Sequence, residues 1–159
     1  MISRGADSVW ARSLTLDEIR RMYLGGCDRH VGVELTAMGP DWIEGRVPAT
    51  ERTHDPEGNN YGGAIAILAE ALGSIAANLC LAEGTRGVGQ SLEVHYFLPV
   101  TSGPITGHAS PVSITGPTHI WRIDLRDEAE TLVGTASVSM AILGPRTQVA
   151  SPTVSDSGV

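Results

Sequence analysis

GGAIAILAEALGSIAANLCLA, running from Gly62 to Ala82, is the stretch whose reading decides the fold. It holds no proline and one charge, Glu70, and its 21 residues would extend about 31 Å as a helix at 1.5 Å per residue. Leu68, Leu72, Ile75 and Leu79 recur at i, i+4, i+7 and i+11, which puts four bulky side chains on one stripe. Ala66, Glu70, Gly73, Ser74 and Ala77 form a second face that is small and carries the only charge. A helix apolar around most of its circumference cannot cover itself, so the remaining chain must supply a sheet to wrap it.

The flanking sequence carries the strand period. Leu92, Val94, Tyr96 and Leu98 alternate with Ser91, Glu93, His95 and Phe97. Leu132, Gly134, Ala136, Val138, Met140 and Ile142 alternate with Val133, Thr135, Ser137, Ser139 and Ala141. Between them, His119 to Arg126 places Trp121, Ile123 and Leu125 on one side, after a less regular stretch from Ile105 to Ile114. The turn Asp127-Glu128-Ala129-Glu130 joins the last two strands as a hairpin. Upstream, Val31, Val33 and Leu35 face Ile43, Gly45 and Val47 across the Gly39-Pro40-Asp41 turn, a second hairpin. Thr15-Leu16-Asp17-Glu18 reads as a capping box opening a short helix that Gly25-Gly26 ends. The polar segment Thr50 to Asn60 reads as a long loop. The order predicts an α+β fold of about six antiparallel strands around one helix. The boundaries expected are a flexible arm over 1–14, a single domain over 15–143 and a flexible tail over 144–159.

Composition narrows the chemistry. The 159 residues suit one domain. Arginine supplies all 11 positive charges, so a Schiff-base lysine, a pyridoxal-phosphate lysine and a Walker-type loop are excluded. A net charge of −7 with no basic run argues against nucleic-acid partners and against an acidic membrane surface. Cys27 and Cys80 lie in no CxxC or zinc-type cluster and are expected to be reduced. Arg4, Asp7 and Arg12 interrupt the start of the chain, so no export signal is visible. The longest uncharged apolar run, Ala71 to Ala82, falls short of the ~18 residues of a membrane span. A cytoplasmic protein is expected. His54, His95 and His119 show no i, i+4 pairing, so no metal site is expected, and no GxSxG elbow supports a serine nucleophile.

Two features carry chemistry. Glu70, a carboxylate inside an apolar helix, is either hydrogen-bonded to a neighbouring strand or subunit, or functional. The small face leaves a groove beside it, with Ser74 one turn on, although a small face equally serves close helix packing. The second feature is Tyr61-Gly62-Gly63, where unpaired N–H groups and the positive end of the helix dipole could polarise a carbonyl; the alternative is a plain glycine start. Gly62 and Glu70 are about 12 Å apart along a helix axis, so both act on one small group only if a second chain brings its own helix alongside.

The run from Tyr61 to Ser74 resembles the H-G-G-A-x-x-x-L-A-E-x-x-G-S motif of hotdog-fold acyl-CoA thioesterases, in the 4-hydroxybenzoyl-CoA and PaaI-like branch. Val88-Gly89-Gln90-Ser91, Phe97-Leu98-Pro99-Val100 and Trp121 to Glu128 extend the similarity over about Val31 to Leu143. The resemblance implies a hotdog fold, homodimers with shared active sites that pair into tetramers, and hydrolysis of acyl-CoA thioesters without metal or cofactor, coenzyme A being part of the substrate. It implies that Glu70 is the catalytic nucleophile or general base, that the Gly62 N–H polarises the thioester carbonyl and that Ser74 assists. Asp55 stands where the family has Gln or Asn, and Tyr61 where it has His. An Asp55 facing Glu70 across the dimer implies a raised pKa at one of the two. His54, Tyr61, Gly63, Gln90 and Thr118 fall at substrate-contacting positions; an edge-strand role is the alternative for Thr118. Candidate phosphate ligands are Arg86, Arg122, Arg126 and Arg146, the family's arginine before Pro-Val being Leu98. The functional alternatives are a non-catalytic acyl-CoA-binding or regulatory hotdog and a hotdog hydratase.

Overall fold

A computed structural model describes residues 8–144. The elements run α1 (Leu16–Tyr23), α2 (Gly26–Val31), β1 (Glu34–Met38), β2 (Ile43–Val47), α3 (Gly62–Leu79), β3 (Arg86–Tyr96), β4 (Ile105–Ser113), β5 (Thr118–Arg126) and β6 (Leu132–Leu143). The six strands form one antiparallel sheet in the order β1-β2-β4-β5-β6-β3. α3 lies against one face and packs on β2, β3, β4, β5 and β6. This is the hotdog fold that the central stretch implied.

The bulky stripe does what its spacing demands. Leu68, Leu72, Ile75 and Leu79 are buried against the inward residues Trp121, Ile123 and Leu125 of β5 and Ile105 and Ala109 of β4. Helix and sheet approach closely because glycines stand at the contacts: a Cβ on Gly107 would lie 2.8 Å from Leu72 Cδ1, and one on Gly73 would lie 2.7 Å from Val138 Cβ. By length and composition α3 could cross a membrane, yet most of it is buried inside the fold.

Four expectations need correction. The long helix ends at Leu79, not Ala82: Cys80 and Leu81 N–H groups turn back to Ala77 and Asn78, and Gly84 takes a positive φ that leads into β3. Residues 26–31, read as a break before a strand, form α2, and Gly32 ends it at φ 81°. β3 starts at Arg86, five residues ahead of its clear alternation. Residues 8–14, expected as part of a loose arm, are docked. Trp10 stacks on Trp121 with ring centroids 6.0 Å apart, donates from Nε1 to the Gly39 carbonyl at 2.7 Å, and is flanked by backbone bonds from Val9 to Pro40 and from Ala11 to Leu79. One large aromatic ring supplies enough buried apolar surface to hold a segment that has no periodicity of its own. The expected tail from 145 onward lies outside the described residues. The capping box at α1 is present, with Thr15 and Glu18 exchanging bonds. Cys27 and Cys80 are not joined, and burial pushes the Cys80 thiol up to about 12.

Candidate active site

α3 begins without a side-chain cap. Tyr61 holds the N-cap position, its N–H donates to Thr53 O at 2.7 Å, and its carbonyl accepts from Ala64 and Ile65. The N–H groups of Gly62 and Gly63 have no acceptor among the described residues, so two donors at the positive end of an 18-residue helix are left to a ligand. The ring of Tyr61 folds over Gly63, where a Cβ would come within 2.5 Å of Cε1, so a side chain there would push the exposed ring aside. From the far end of β3, Tyr96 donates its hydroxyl to the Gly62 carbonyl at 2.6 Å. Burial, and then the neighbouring Tyr61, hold the Tyr96 phenol above its ordinary pKa.

These groups open onto a cleft of about 370 Å³ lined by Asp55, Asn60, Gly62, Ile65, Tyr96 and Phe97, among others. Asp55 thus stands with Gly62, but its carboxylate is already engaged. Oδ1 accepts from the Glu57 and Asn59 N–H groups at 2.9 Å each, and Oδ2 accepts from Asn59 Nδ2 at 3.1 Å. The Asn59 side chain, and then the loop backbone, hold its pKa below the ordinary aspartate value. Within the chain Asp55 is therefore an ionised organiser of its own turn, and the raised pKa lies elsewhere.

It lies at Glu70, two turns down the same helix and outside the cleft. Burial of its surroundings, and then the negative charge of Asp28 on α2, raise the Glu70 pKa. Its carboxylate has no hydrogen-bond or ion-pair partner among the described residues, and Gly89 of β3 leaves room beside it: a Cβ there would lie 3.9 Å from Oε1. The side chain itself is exposed. The open stripe consists of Gly63, Ala66, Ile67, Glu70, Ser74 and Asn78. Gly73 and Ala77, expected on it, are buried: Gly73 sits about 60° round the helix from Glu70 and meets Val138, and Ala77 belongs to the core. Ser74 follows Glu70 by one turn and its carbonyl accepts from Asn78 Nδ2, while Asn78 Oδ1 accepts from Gly87 N and ties the helix end to β3.

The remaining sequence candidates scatter. Gln90 is the bulge residue of β3, and its Oε1 accepts from Thr118 Oγ1 at 3.4 Å. Thr118 precedes the inward-facing, buried His119, so this pair lies on the face of the sheet turned away from Glu70. His54 bridges to Asn60, and both His54 Nε2 and Asn60 Oδ1 are buried without a protein partner. Asn60 lines the cleft and was not singled out from sequence, although it directly precedes Tyr61; Tyr96 was read only as a strand residue. Arg122 pairs with Asp124 at 2.8 Å and Arg126 donates to Glu130 O at 2.9 Å, the Arg86 side chain at the start of β3 has no partner among the described residues, and Arg146 lies outside them. Among the described residues no group of three or more His, Cys, Asp or Glu is placed to hold a metal ion.

The geometry has relatives. The model of the family described as Thioesterase superfamily matches residues 57–134. An esterase of Haemophilus influenzae described as putative is 33% identical over 135 residues, covering 85% of this chain and 98% of that protein. The proofreading thioesterase EntH of Cronobacter turicensis is 33% identical over 136 residues, covering 86% and 99%. The crystal structure of a Haemophilus influenzae thioesterase superposes with a TM-score of 0.82 at 33% identity over 86% of this chain and 95% of that one. With identity of this order sustained across nearly the whole length of each relative, on the same sheet and helix, the chain belongs to the thioesterase superfamily and is a thioester hydrolase of the hotdog fold.

Proposed function

We propose that the substrate is an acyl-CoA carrying an aromatic or short-to-medium acyl group, and that a homodimer cleaves it in the cytoplasm with residues drawn from both protomers. The observation that carries this reading is the separation of two unengaged groups on one helix: free N–H donors at Gly62 and Gly63, and an unpartnered Glu70 two turns on. Neither reaches the other's substrate atoms within one chain. An antiparallel pair of α3 helices would set the donors of one protomer beside the carboxylate of its partner.

The Gly62 N–H then polarises the thioester carbonyl. Glu70 removes a proton from water as hydroxide adds to the carbonyl carbon, the C–S bond breaks, and the thiolate leaves with the proton returned by Glu70. In the nucleophilic variant Glu70 itself adds, expels the thiolate, and the resulting anhydride is hydrolysed. Ser74 orients the carboxylate or the water, and the phenols of Tyr61 and Tyr96 with Asn60 border the acyl or pantetheine portion. Neither route calls for a metal or a further cofactor. β3 supports the pairing. It is an 11-residue strand at the sheet edge whose Val88, Leu92 and Tyr96 are exposed, and such an edge calls for a partner strand. Pairing of two dimers into a tetramer would cover the exposed Val112.

Free-thiol release from a panel of acyl-CoA thioesters tests the reading. Glu70→Gln should keep the fold and lower turnover by at least about 100-fold, since a positioned carboxylate is typically worth 10² to 10⁴. A folded, fully active Glu70→Gln protein removes Glu70 from the chemistry, and a wild type that binds but releases no thiol from any member favours an acyl-CoA-binding role.

A further inference from the structure

Nine arginines lie among the described residues, and six of them have partners: Arg12 with Tyr23, Arg20 with Asp17, Arg46 with Glu34, Arg52 with the His30 carbonyl, Arg122 with Asp124 and Arg126 with Glu130. Three side chains, Arg21, Arg29 and Arg86, make no hydrogen bond or ion pair there. Two of these three line one cavity, a cleft of about 500 Å³ between α1, α2 and the start of β1. In a lysine-free chain of net charge −7, its lining holds three arginines and one carboxylate.

The cleft is built. Arg20 forms a fixed wall, its guanidinium held by Asp17 at 2.6 Å and by the Leu35 carbonyl. Leu24 and Val33, buried at 8% and 4% exposure, supply apolar lining. The one carboxylate in the lining, Glu34, is bound to Arg46 on the neighbouring strand at 2.9 Å. Arg21 acts on Glu18 only through space, that carboxylate being engaged by Thr15. Two guanidinium groups without a hydrogen-bond or ion-pair partner among the described residues therefore line the same volume beside an apolar surface, and that volume lies within the ordinary range for small-molecule sites. Guanidinium groups pair with planar carboxylates and with phosphates, and the apolar lining rewards a ligand body that leaves water.

We infer that this cleft is a second ligand site, separate from the Gly62 and Glu70 groups, for a small amphipathic anion: one carboxylate or phosphate head on a compact apolar body. The head lies between Arg21 and Arg29 and the body on Leu24 and Val33. The site stands independently of the acyl-CoA reading.

Titration of the full chain with benzoate, phenyl phosphate, inorganic phosphate and phenol, followed by NMR shift changes in α1 and α2, tests it. One of the two aromatic anions should bind more tightly than both inorganic phosphate and phenol, and the tighter of them identifies the head as carboxylate or phosphate. The Arg21→Gln/Arg29→Gln double variant should weaken that binding at least 10-fold with its melting temperature preserved, and Arg86→Gln should leave it unchanged. Three results overturn the inference: no binding of either aromatic anion, binding that survives in the double variant, or inorganic phosphate binding as tightly as phenyl phosphate, which would leave the apolar lining without a role.

Discussion

The two edges of the sheet are finished differently. At one edge β1 is five residues long, a register shift interrupts its pairing with β2, and Arg20 from α1 donates to its Leu35 carbonyl. Its outward residues Glu34 and Thr36 are polar and tied to Arg46 and Glu44. At the other edge β3 runs for 11 residues, meets α3 on one face, and among the described residues is mostly exposed, with apolar side chains among the exposed ones. Short length, charge and a covering helix are the devices that protect an edge. β1 has all three; β3 carries the charges of Arg86 and Glu93 and meets α3, yet it is long and mostly exposed, and it is also the strand that carries Gly89 beside Glu70 and Tyr96 beside Gly62. The edge left open is the one that borders the candidate site.

The largest effect is expected from treating the two edges alike. A Val88→Lys/Leu92→Lys double variant should become monomeric in sedimentation velocity and lose thioester hydrolysis to near background, whereas Thr36→Lys on β1 should change neither. A β3 variant that is monomeric and active would break the shared-site reading.

Next comes Gly62→Pro. Gly62 is the first helical residue, where the missing proline N–H costs no helix bond, and Tyr61 at φ −68° and ψ 127° already has the extended conformation favoured before proline. The variant therefore deletes the donor with little change in backbone; only the Tyr96 ring, 3.2 Å from a new Cβ, must give slightly. Turnover should fall by about 10²–10³. Mixing Gly62→Pro with Glu70→Gln chains should restore part of the activity, because one site in each mixed dimer is then intact; absence of any recovery would place donor and carboxylate in the same chain.

Tyr96→Phe should act more mildly. Its hydroxyl binds the carbonyl of the Gly62–Gly63 peptide and so polarises the Gly63 N–H, a cooperative effect of modest size. A loss of about three- to tenfold in kcat with KM little changed is expected, with the melting temperature as the control for fold.

The smallest effects separate two aspartates. Glu70 is raised by burial and then by Asp28, so activity that requires ionised Glu70 should rise with pH through a limb above the ordinary glutamate value. Asp28→Asn keeps an oxygen to accept from Gly25 N, removes the charge and should move that limb to lower pH. Asp55→Asn keeps the Oδ1 that accepts the loop's two N–H bonds and should leave the limb in place, because Asp55 is itself held low. The same linkage has a stability sign. A carboxyl raised in the folded state releases its proton later than in the unfolded chain, so stability falls as pH rises through that window, and Glu70→Gln should melt higher than the parent at neutral pH.

Much of the architecture was legible because it is local. An 18-residue apolar helix with one charge, a capping box four residues long and strands whose side chains alternate over most of their length are properties of neighbours in sequence. So are Gly62, Glu70 and Ser74, whose relation is settled by 3.6 residues per turn once α3 is known to be a helix. α2 escaped because six residues beginning with glycine hold no periodicity, and Trp10 because a single anchor leaves no pattern.

What only the tertiary structure decided are relations between distant residues and the use of side-chain capacity. Tyr96 meets Gly62 across 34 positions, Gln90 meets Thr118 on the wrong face for Glu70, and Asp28 lends charge from another helix. Asp55 reads in sequence as a free carboxylate, and only its turn shows that the oxygens are already occupied. The alternation of β3 matches that of a buried strand, yet at the sheet edge most of its residues are exposed, since side-chain period records which face a residue takes and not how fully that face is covered.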